Sequence, residues 1–413
     1  PKVLFSTDGY WYNGKRIEIG AKLAEVLPGL PTVTKTVVID YLGEADSVAA
    51  TLPGAVSLAA FIEGFSPDKI AYRRVGFDHP LYILFSSGTT GAPKCIVHRT
   101  GGVLLQHLKE LGLHGDVKPG DRLFYFTTLG WMMWNWLATG LARGATVMLF
   151  DGSPFAPDPG ILWRIAEEEG ITVFGTSAKY LSALEKAGVE PGRDHDLSAL
   201  RAVLSTGSPL LPESFDYVYE RVKPDLQLSS ISGGTDIVSC FALGCPILPV
   251  HRGELQCRGL GMAVEIWDEA GQSVVGRKGE LVCVRPFPSM PIGFWNDPDG
   301  EKYRAAYFER FEGVWCHGDY AELTDTGGLV IYGRSDAVLN PGGVRIGTAE
   351  IYRQVERLDE VVESLAIGQR WRDDVRIVLF VRLRDGLRLG DELSQKIRDT
   401  IRSNTTPRHV PAK

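Results

Sequence analysis

The sequence predicts an α/β protein of layered parallel-sheet subdomains with a small β unit, followed by a small α+β domain. Three observations carry this. Short apolar runs recur at 36–39 (TVVI), 81–85 (LYILF), 123–127 (LFYFT), 146–150 (TVMLF), 172–175 (TVFG) and 202–205 (AVLS). Stretches with helical periodicity lie between the later runs, at 159–169, 179–187 and 212–222. From about residue 252 the alternation gives way to short strand-like pieces (AVEIW, GELVCVR) separated by turn residues. Strands of a parallel sheet covered on both faces meet no water, so they read as unbroken apolar runs between helices.

The expected organisation follows in chain order. Residues 1–332 form a large domain, N-terminally incomplete, whose β-rich part lies at about 250–332. The segment GRSDAVLNPGGVRIG at 333–347 holds five glycines and prolines in 15 residues, the composition of a hinge and linker. A helix at 348–357, strands at 365–367 and 376–382 and a helix at 392–403 make up the small domain at 348–413, which stops at RHVPAK without a closing element. No internal repeat or low-complexity tract interrupts this pattern.

Composition narrows the function. With 413 residues, 44% hydrophobic and 23% charged, the chain has the material for a large core. Its net charge of −7 argues against a nucleic-acid or membrane-surface partner, so positive groups for any anionic ligand must be concentrated locally. No run of ~18 apolar residues spans a membrane, and the opening PKVLFSTDGYWYNGK is neither a secretory signal nor a natural start. The six cysteines are scattered without a CxxC pair, as expected of reduced thiols in a cytoplasmic protein.

The segment most specific for chemistry is SSGTTGAPK at 86–94. Gly88 and Gly91 permit close backbone approach. The N–H groups and the hydroxyls of Ser86, Ser87, Thr89 and Thr90 can donate to phosphate oxygens, and Lys94 adds charge. The spacing is not that of a Walker A loop, which counts against a P-loop ATPase.

This loop resembles the signature of the adenylate-forming superfamily, which includes acyl-CoA synthetases, firefly luciferase and peptide-synthetase adenylation domains. Six further segments match in order across 86–350, and DGYWYNGKRIEIG and GWMMWNW extend the resemblance. It implies an ATP-dependent acid–CoA ligase: a carboxylate attacks the α-phosphorus to give acyl-AMP and pyrophosphate, and CoA then displaces AMP. The implied cofactors and substrates are ATP, Mg²⁺, CoA and a small acid, with the oligomeric state left open. Thr90, Lys94, Thr235, Asp236 and Arg345 are the implied catalytic residues. Gly207, Ser208 and Pro209 are expected against adenine. Ser232, Gly233, Gly234 and Thr235 are expected along the α-phosphate. Asp236 would hold Mg²⁺, where the family more often has Glu; Asp319 would take the ribose hydroxyls and Arg334 would lie near them. Asp336 occupies the hinge position, and Gly342 and Gly343 the approach of the CoA thiol.

Where short-chain members close the acyl pocket with Trp, this chain has Gly233. Trp131, Met132 and Met133 are expected to wall the opened pocket, with Thr206 as donor to a keto oxygen. The expected acid is therefore a four-carbon 3-keto acid, acetoacetate; 3-hydroxybutyrate, propionate and acetate are the nearest alternatives. The chain ends before the family's Pro-x-Thr-x-Ser-Gly-Lys motif, and Lys413 precedes that position. By analogy with lost oxyanion donors, its absence removes ~3–4 kcal/mol of transition-state stabilisation, so this piece is expected to adenylate weakly or not at all. The reading from another class is a nucleotide-binding fragment or relative without catalysis.

Overall fold

Parallel pairing appears in both parts of the chain where the apolar runs predict it. The computed structural model describes residues 1–86, 93–339, 346–371 and 374–413, the side chains of Asp336, Arg370 and Asp374 excepted. The chain divides into two units, residues 1–74 with 150–162, and residues 75–149 with 163–413.

In the first unit Lys35–Ile39 is the central strand of a three-stranded parallel sheet, between Val3–Thr7 and Ala55–Ser57. Val37 and Val38 are fully buried, and helix Ala45–Ala50 lays Ala45 and Ala49 over Val38. Small side chains on that helix face let it approach the sheet closely. The buried carboxylate of Asp8 accepts N–H bonds from Tyr41, Leu42 and Glu44 at 2.8–3.0 Å, which fixes the turn leaving the central strand.

The second unit is built on a five-stranded parallel sheet in the order Gln227–Ser230, Ala202–Thr206, Val173–Ser177, Arg122–Tyr125, Thr146–Met148. Helices Ile161–Glu168 and Ala178–Lys186 follow the expected apolar periods, and a further helix, Met132–Thr139, packs on the sheet. The predicted helix at 212–222 is α-helical over Pro212–Tyr217 and widens to a π turn over Val218–Val222. On one side of the sheet Leu123, Tyr125 and Val173 pack with Leu111, Met133 and Trp136. Elsewhere in the core Trp163 stacks on Phe174 at 4.5 Å. The strand Gln227–Ser230 has no apolar run to announce it, because backbone pairing with Ala202–Thr206 buries its serines.

The run at 81–85 is a correction. It lies in Pro80–Ser86, which pairs antiparallel with Lys94–Arg99 at the edge of a separate three-stranded sheet. Leu81, Ile83 and Phe85 are exposed while Tyr82 and Leu84 are half-buried, so the strand alternates with period two instead of being covered on both faces.

The expected β unit is a four-stranded antiparallel sheet, Val264–Trp267, Lys278–Cys283, Trp315–Leu323 and Leu329–Arg334, around a core that includes Ile266, Leu281, Trp315 and Leu329. Beyond it a long hairpin, Val361–Trp371 with Asp374–Leu383, packs against helices Thr348–Val355 and Asp391–Asn404 through Ile351, Val361, Ile377 and Ile401. The terminal residues also join this sheet, contrary to the expectation of no closing element. The Ala412 N–H donates to the Ile377 carbonyl, and the Leu379 N–H donates to that of Lys413, both at 2.9 Å. No helix among the described residues is long and apolar enough to cross a membrane.

Glu350 ties helix Thr348–Val355 to the four-stranded sheet. It accepts from the Gly347 N–H at 2.9 Å, pairs with Lys278 Nζ at 2.6 Å and faces His409 Nε2 at 3.4 Å. Burial opposes its charge, but the bonds from His409 and Lys278 outweigh burial and bring its pKa from 4.5 to about 2. A carboxylate with a depressed folded pKa contributes stability above its unfolded pKa and loses it as pH falls through the folded value. Glu350 should therefore contribute up to roughly 3 kcal/mol that disappears between about pH 4.5 and pH 2. In urea denaturation Glu350→Gln should flatten the acid limb across that window; an unchanged slope would contradict the assignment.

Candidate functional site

Lys94 opens the strand Lys94–Arg99, whose Ile96 and His98 point into the core. Its ammonium forms an ion pair with Asp236 Oδ1 and lies 3.4 Å from the Tyr307 hydroxyl. The Tyr307 hydroxyl donates to the same carboxylate oxygen. Residues 142 apart in sequence thus meet at one acid. Burial works against the charge on Asp236, but His317, Lys94 and the two hydrogen bonds outweigh it and hold its carboxyl below the usual range. Nearby, burial pushes His98 down to about 4, so it is neutral at neutral pH.

Asp236 stands in the turn between Ser232–Gly234 and Ser239–Leu243. That turn contains Val238 at φ 48°, a left-handed conformation that a β-branched residue adopts only under constraint. Two buried contacts supply it. The His107 Nε2–H donates to the Val238 carbonyl at 2.7 Å. The carboxylate of Glu110 accepts from the Cys240 N–H at 3.1 Å, from Trp136 Nε1 at 3.0 Å and from the Ser239 hydroxyl. The helical segment that follows the phosphate-loop strand therefore holds the hairpin that carries Asp236.

The second half of the site comes from the four-stranded sheet, where the pairing of Trp315–Leu323 with Leu329–Arg334 sets Asp319 opposite Arg334. Arg334 Nη1 donates to Asp319 Oδ1 at 3.2 Å and to the His317 carbonyl at 3.0 Å. Gly318 has φ +80°, and a Cβ there would come within 2.7 Å of the Arg334 guanidinium, so the arginine lies directly over the glycine. The His317 imidazole is 3.7 Å from Asp319 Oδ2 and stands edge-on to Phe241. Lys94, Tyr307, Arg310, His317, Gly318 and Arg334 line a cavity of about 280 Å³. Three cations around one cavity, in a chain of net charge −7, are the local concentration that an anionic ligand requires.

The remaining sequence-singled residues fall into three groups. Gly207, at φ +91°, makes the turn after strand Ala202–Thr206, and Ser208 and Pro209 continue it half-buried. Met133 is core, packed with Trp136 and Leu137; Met132 borders the same cluster, and Trp131 at the helix start is exposed. The Thr206 hydroxyl donates to the Ile231 carbonyl at 3.1 Å, which takes the proton expected for a keto oxygen. Ser87, Gly88, Thr89, Thr90, Gly91, Gly342, Gly343 and Arg345 lie outside the described residues, as does the side chain of Asp336.

Gly233 has a backbone explanation beside that of an opened pocket. A Cβ there would sit 2.0 Å from the Ser239 carbonyl oxygen and 2.6 Å from Cys240 Cα, at a register shift between the two strands. The glycine is demanded by backbone approach. Sequence reasoning gave no role to Tyr307, Arg310, Trp315 or His317. The cluster of aromatics in 303–315 was the available signal.

The AMP-binding enzyme family model matches residues 1–291, and the chain belongs to that family. Over all its 413 residues the chain is 62% identical to the acetoacetyl-coenzyme A synthetase of Rhizobium meliloti (strain 1021), of which it covers 63%. The acetoacetyl-CoA synthetase of Gallus gallus is 48% identical over 418 aligned positions, again with 63% of that protein covered. The solved acetoacetyl-CoA synthetase from Streptomyces lividans is similar at 48% identity with a TM-score of 0.91, matching all of this chain and 62% of that one. An anthranilate CoA ligase solved with anthranoyl-AMP shares the fold at a TM-score of 0.80 and 19% identity, over all of this chain and 73% of that one. The chain thus spans a little under two thirds of the length of the curated relatives named here.

The backbone explanation of Gly233 is directly testable. Gly233→Ala should lower stability by roughly 1–3 kcal/mol through the forced shift of the hairpin. Urea denaturation measures this, and wild-type stability would show that the strands have room to spare.

Proposed function

We propose that this chain carries the adenylation site of an ATP-dependent acid–CoA ligase that acts on acetoacetate in the cytoplasm, the full-length protein being the working enzyme. Overall, acetoacetate, ATP and CoA give acetoacetyl-CoA, AMP and pyrophosphate. The observation that carries this reading is that Lys94 and Arg334 line one cavity, with Asp236 paired to the lysine and Asp319 to the arginine. The choice of acid is supported by the 62% identity to the Rhizobium meliloti acetoacetyl-coenzyme A synthetase.

In this reading the ribose hydroxyls donate to Asp319, which Arg334 holds in orientation, and Thr235 donates to the α-phosphate. Lys94 leaves Asp236 for the phosphate chain. A carboxylate oxygen of the acid bonds to the α-phosphorus as the bond to pyrophosphate breaks. The CoA sulfur then bonds to the acyl carbon, and AMP departs with the oxygen that came from the acid. Neither step calls for a protein nucleophile; positioning and charge stabilisation by Lys94, Arg334 and the hydroxyls do the work.

The donor chemistry around Asp236 fits a magnesium ion, because its carboxylate already has a cation beside it and both hydrogen bonds fall on Oδ1. Among the described residues no group of three or more His, Cys, Asp or Glu side chains could cage a metal. Asp236 would therefore share the ion with phosphates and water, as Mg²⁺ sites commonly do. When bound, the ion neutralises phosphate charge.

Two measurements test the reading. In kcat/KM of the full-length protein for acetoacetate, 3-hydroxybutyrate and acetate, acetoacetate should rank first; acetate ranking first would reject the choice of acid. Asp319→Asn should raise KM for ATP by about tenfold or more, the loss expected for hydrogen bonds to a charged group. An unchanged KM would reject the ribose assignment.

A further inference from the structure

We infer that Tyr307 is a positioning residue for Asp236, fixing its carboxylate toward the cation and triphosphate once Lys94 has moved away. The inference rests on the adenylation reading above and adds to it a residue that the sequence motifs do not contain.

Asp236 Oδ1 has two donors in this structure, Lys94 Nζ and the Tyr307 hydroxyl. They cannot serve alike when ATP is bound. One ammonium that neutralises phosphate cannot also hold the carboxylate, and the four-carbon stem of a lysine lets it swing. Tyr307 has no such freedom. Its ring lies face to face with Trp315, centroids 3.7 Å apart and planes 12° apart. Phe294 and Tyr303 meet the same ring at 5.8 and 5.4 Å. Trp315 and Tyr307 are both buried in the core of the four-stranded sheet, so the hydroxyl sits at the end of a rigid arm. An aspartate has only two side-chain torsions, so one fixed hydrogen bond on Oδ1 restrains the carboxylate and leaves Oδ2 available. Lys94 also lies 4.9 Å from the Tyr307 ring centroid, a cation–π contact that gives the ammonium a resting position beside its task.

The test is nucleotide binding with and without metal, which needs no turnover. Isothermal titration with ATP is run in EDTA and again in Mg²⁺, and the ratio of the two affinities is the metal-linked gain. Tyr307→Phe keeps the stacked ring and deletes one hydroxyl. It should cut that gain by about tenfold, the range for a hydrogen bond to a charged group, while leaving affinity in EDTA within about twofold. Lys94→Met should weaken binding in both conditions and keep most of the gain. Asp236→Ala should abolish the gain, and its unfolding temperature beside that of Tyr307→Phe checks that both fold. A full metal-linked gain in Tyr307→Phe overturns the inference while leaving the adenylation reading standing. If Lys94→Met is the variant that loses the gain, the lysine does the positioning and the inference also falls. Wild-type protein that binds no ATP in either condition overturns both.

Discussion

A largely buried carboxylate stays charged only if cations or strong donors face it, and Asp236 meets this condition with Lys94 and Tyr307 together. The rest of the site depends on that meeting. Lys94 arrives from the strand after the phosphate loop, Asp236 from a strained hairpin turn, and Tyr307 from the end of helix Glu301–Tyr307. Removing any one would leave buried charge or an unsatisfied donor, which costs several times what an exposed ion pair contributes. The constraint also explains the supporting layer. Glu110 and His107 hold the hairpin whose left-handed Val238 would otherwise relax.

The same logic organises the ribose side. Antiparallel register sets Asp319 across from Arg334, and the glycine between His317 and Asp319 lets the guanidinium lie flat against the strand. A single β pairing thereby fixes one acceptor and one cation at the mouth of the cavity, using backbone geometry where a loop would need many side-chain contacts. Helix Thr348–Val355 is tied to the same sheet through Glu350 and Lys278.

Much of this was legible in the sequence, and the limits were physical. Apolar runs of 3–5 residues at 123–127, 172–175 and 202–205 found the parallel strands, because burial on both faces removes polar residues. The same signal misjudged 81–85, where an apolar run lies at an exposed sheet edge, and missed Gln227–Ser230, whose serines are buried by pairing. At the site, the composition of the phosphate loop singled out Lys94, and the family resemblance singled out Asp236, Asp319 and Arg334; Lys94 and Arg334 line one cavity, and the two aspartates pair with them. Gly233 was read for ligand space alone, because a missing side chain does not disclose from sequence that a neighbouring backbone also approaches it. Tyr307 carried no signal of its own, since an aromatic in a core-forming stretch is ordinary until a carboxylate is found against its hydroxyl.

The central claim is that these groups direct an acid's oxygen to the α-phosphorus of ATP, and the fate of that oxygen tests it most directly. Acetoacetate labelled with ¹⁸O in its carboxylate is turned over with ATP and CoA, and the phosphorus products are analysed by mass spectrometry. One labelled oxygen should appear in AMP, because the acyl–oxygen bond, not the phosphorus–oxygen bond, breaks when the thiol attacks. Label in orthophosphate instead, with AMP unlabelled, would mean attack at the γ-phosphorus and would contradict the account.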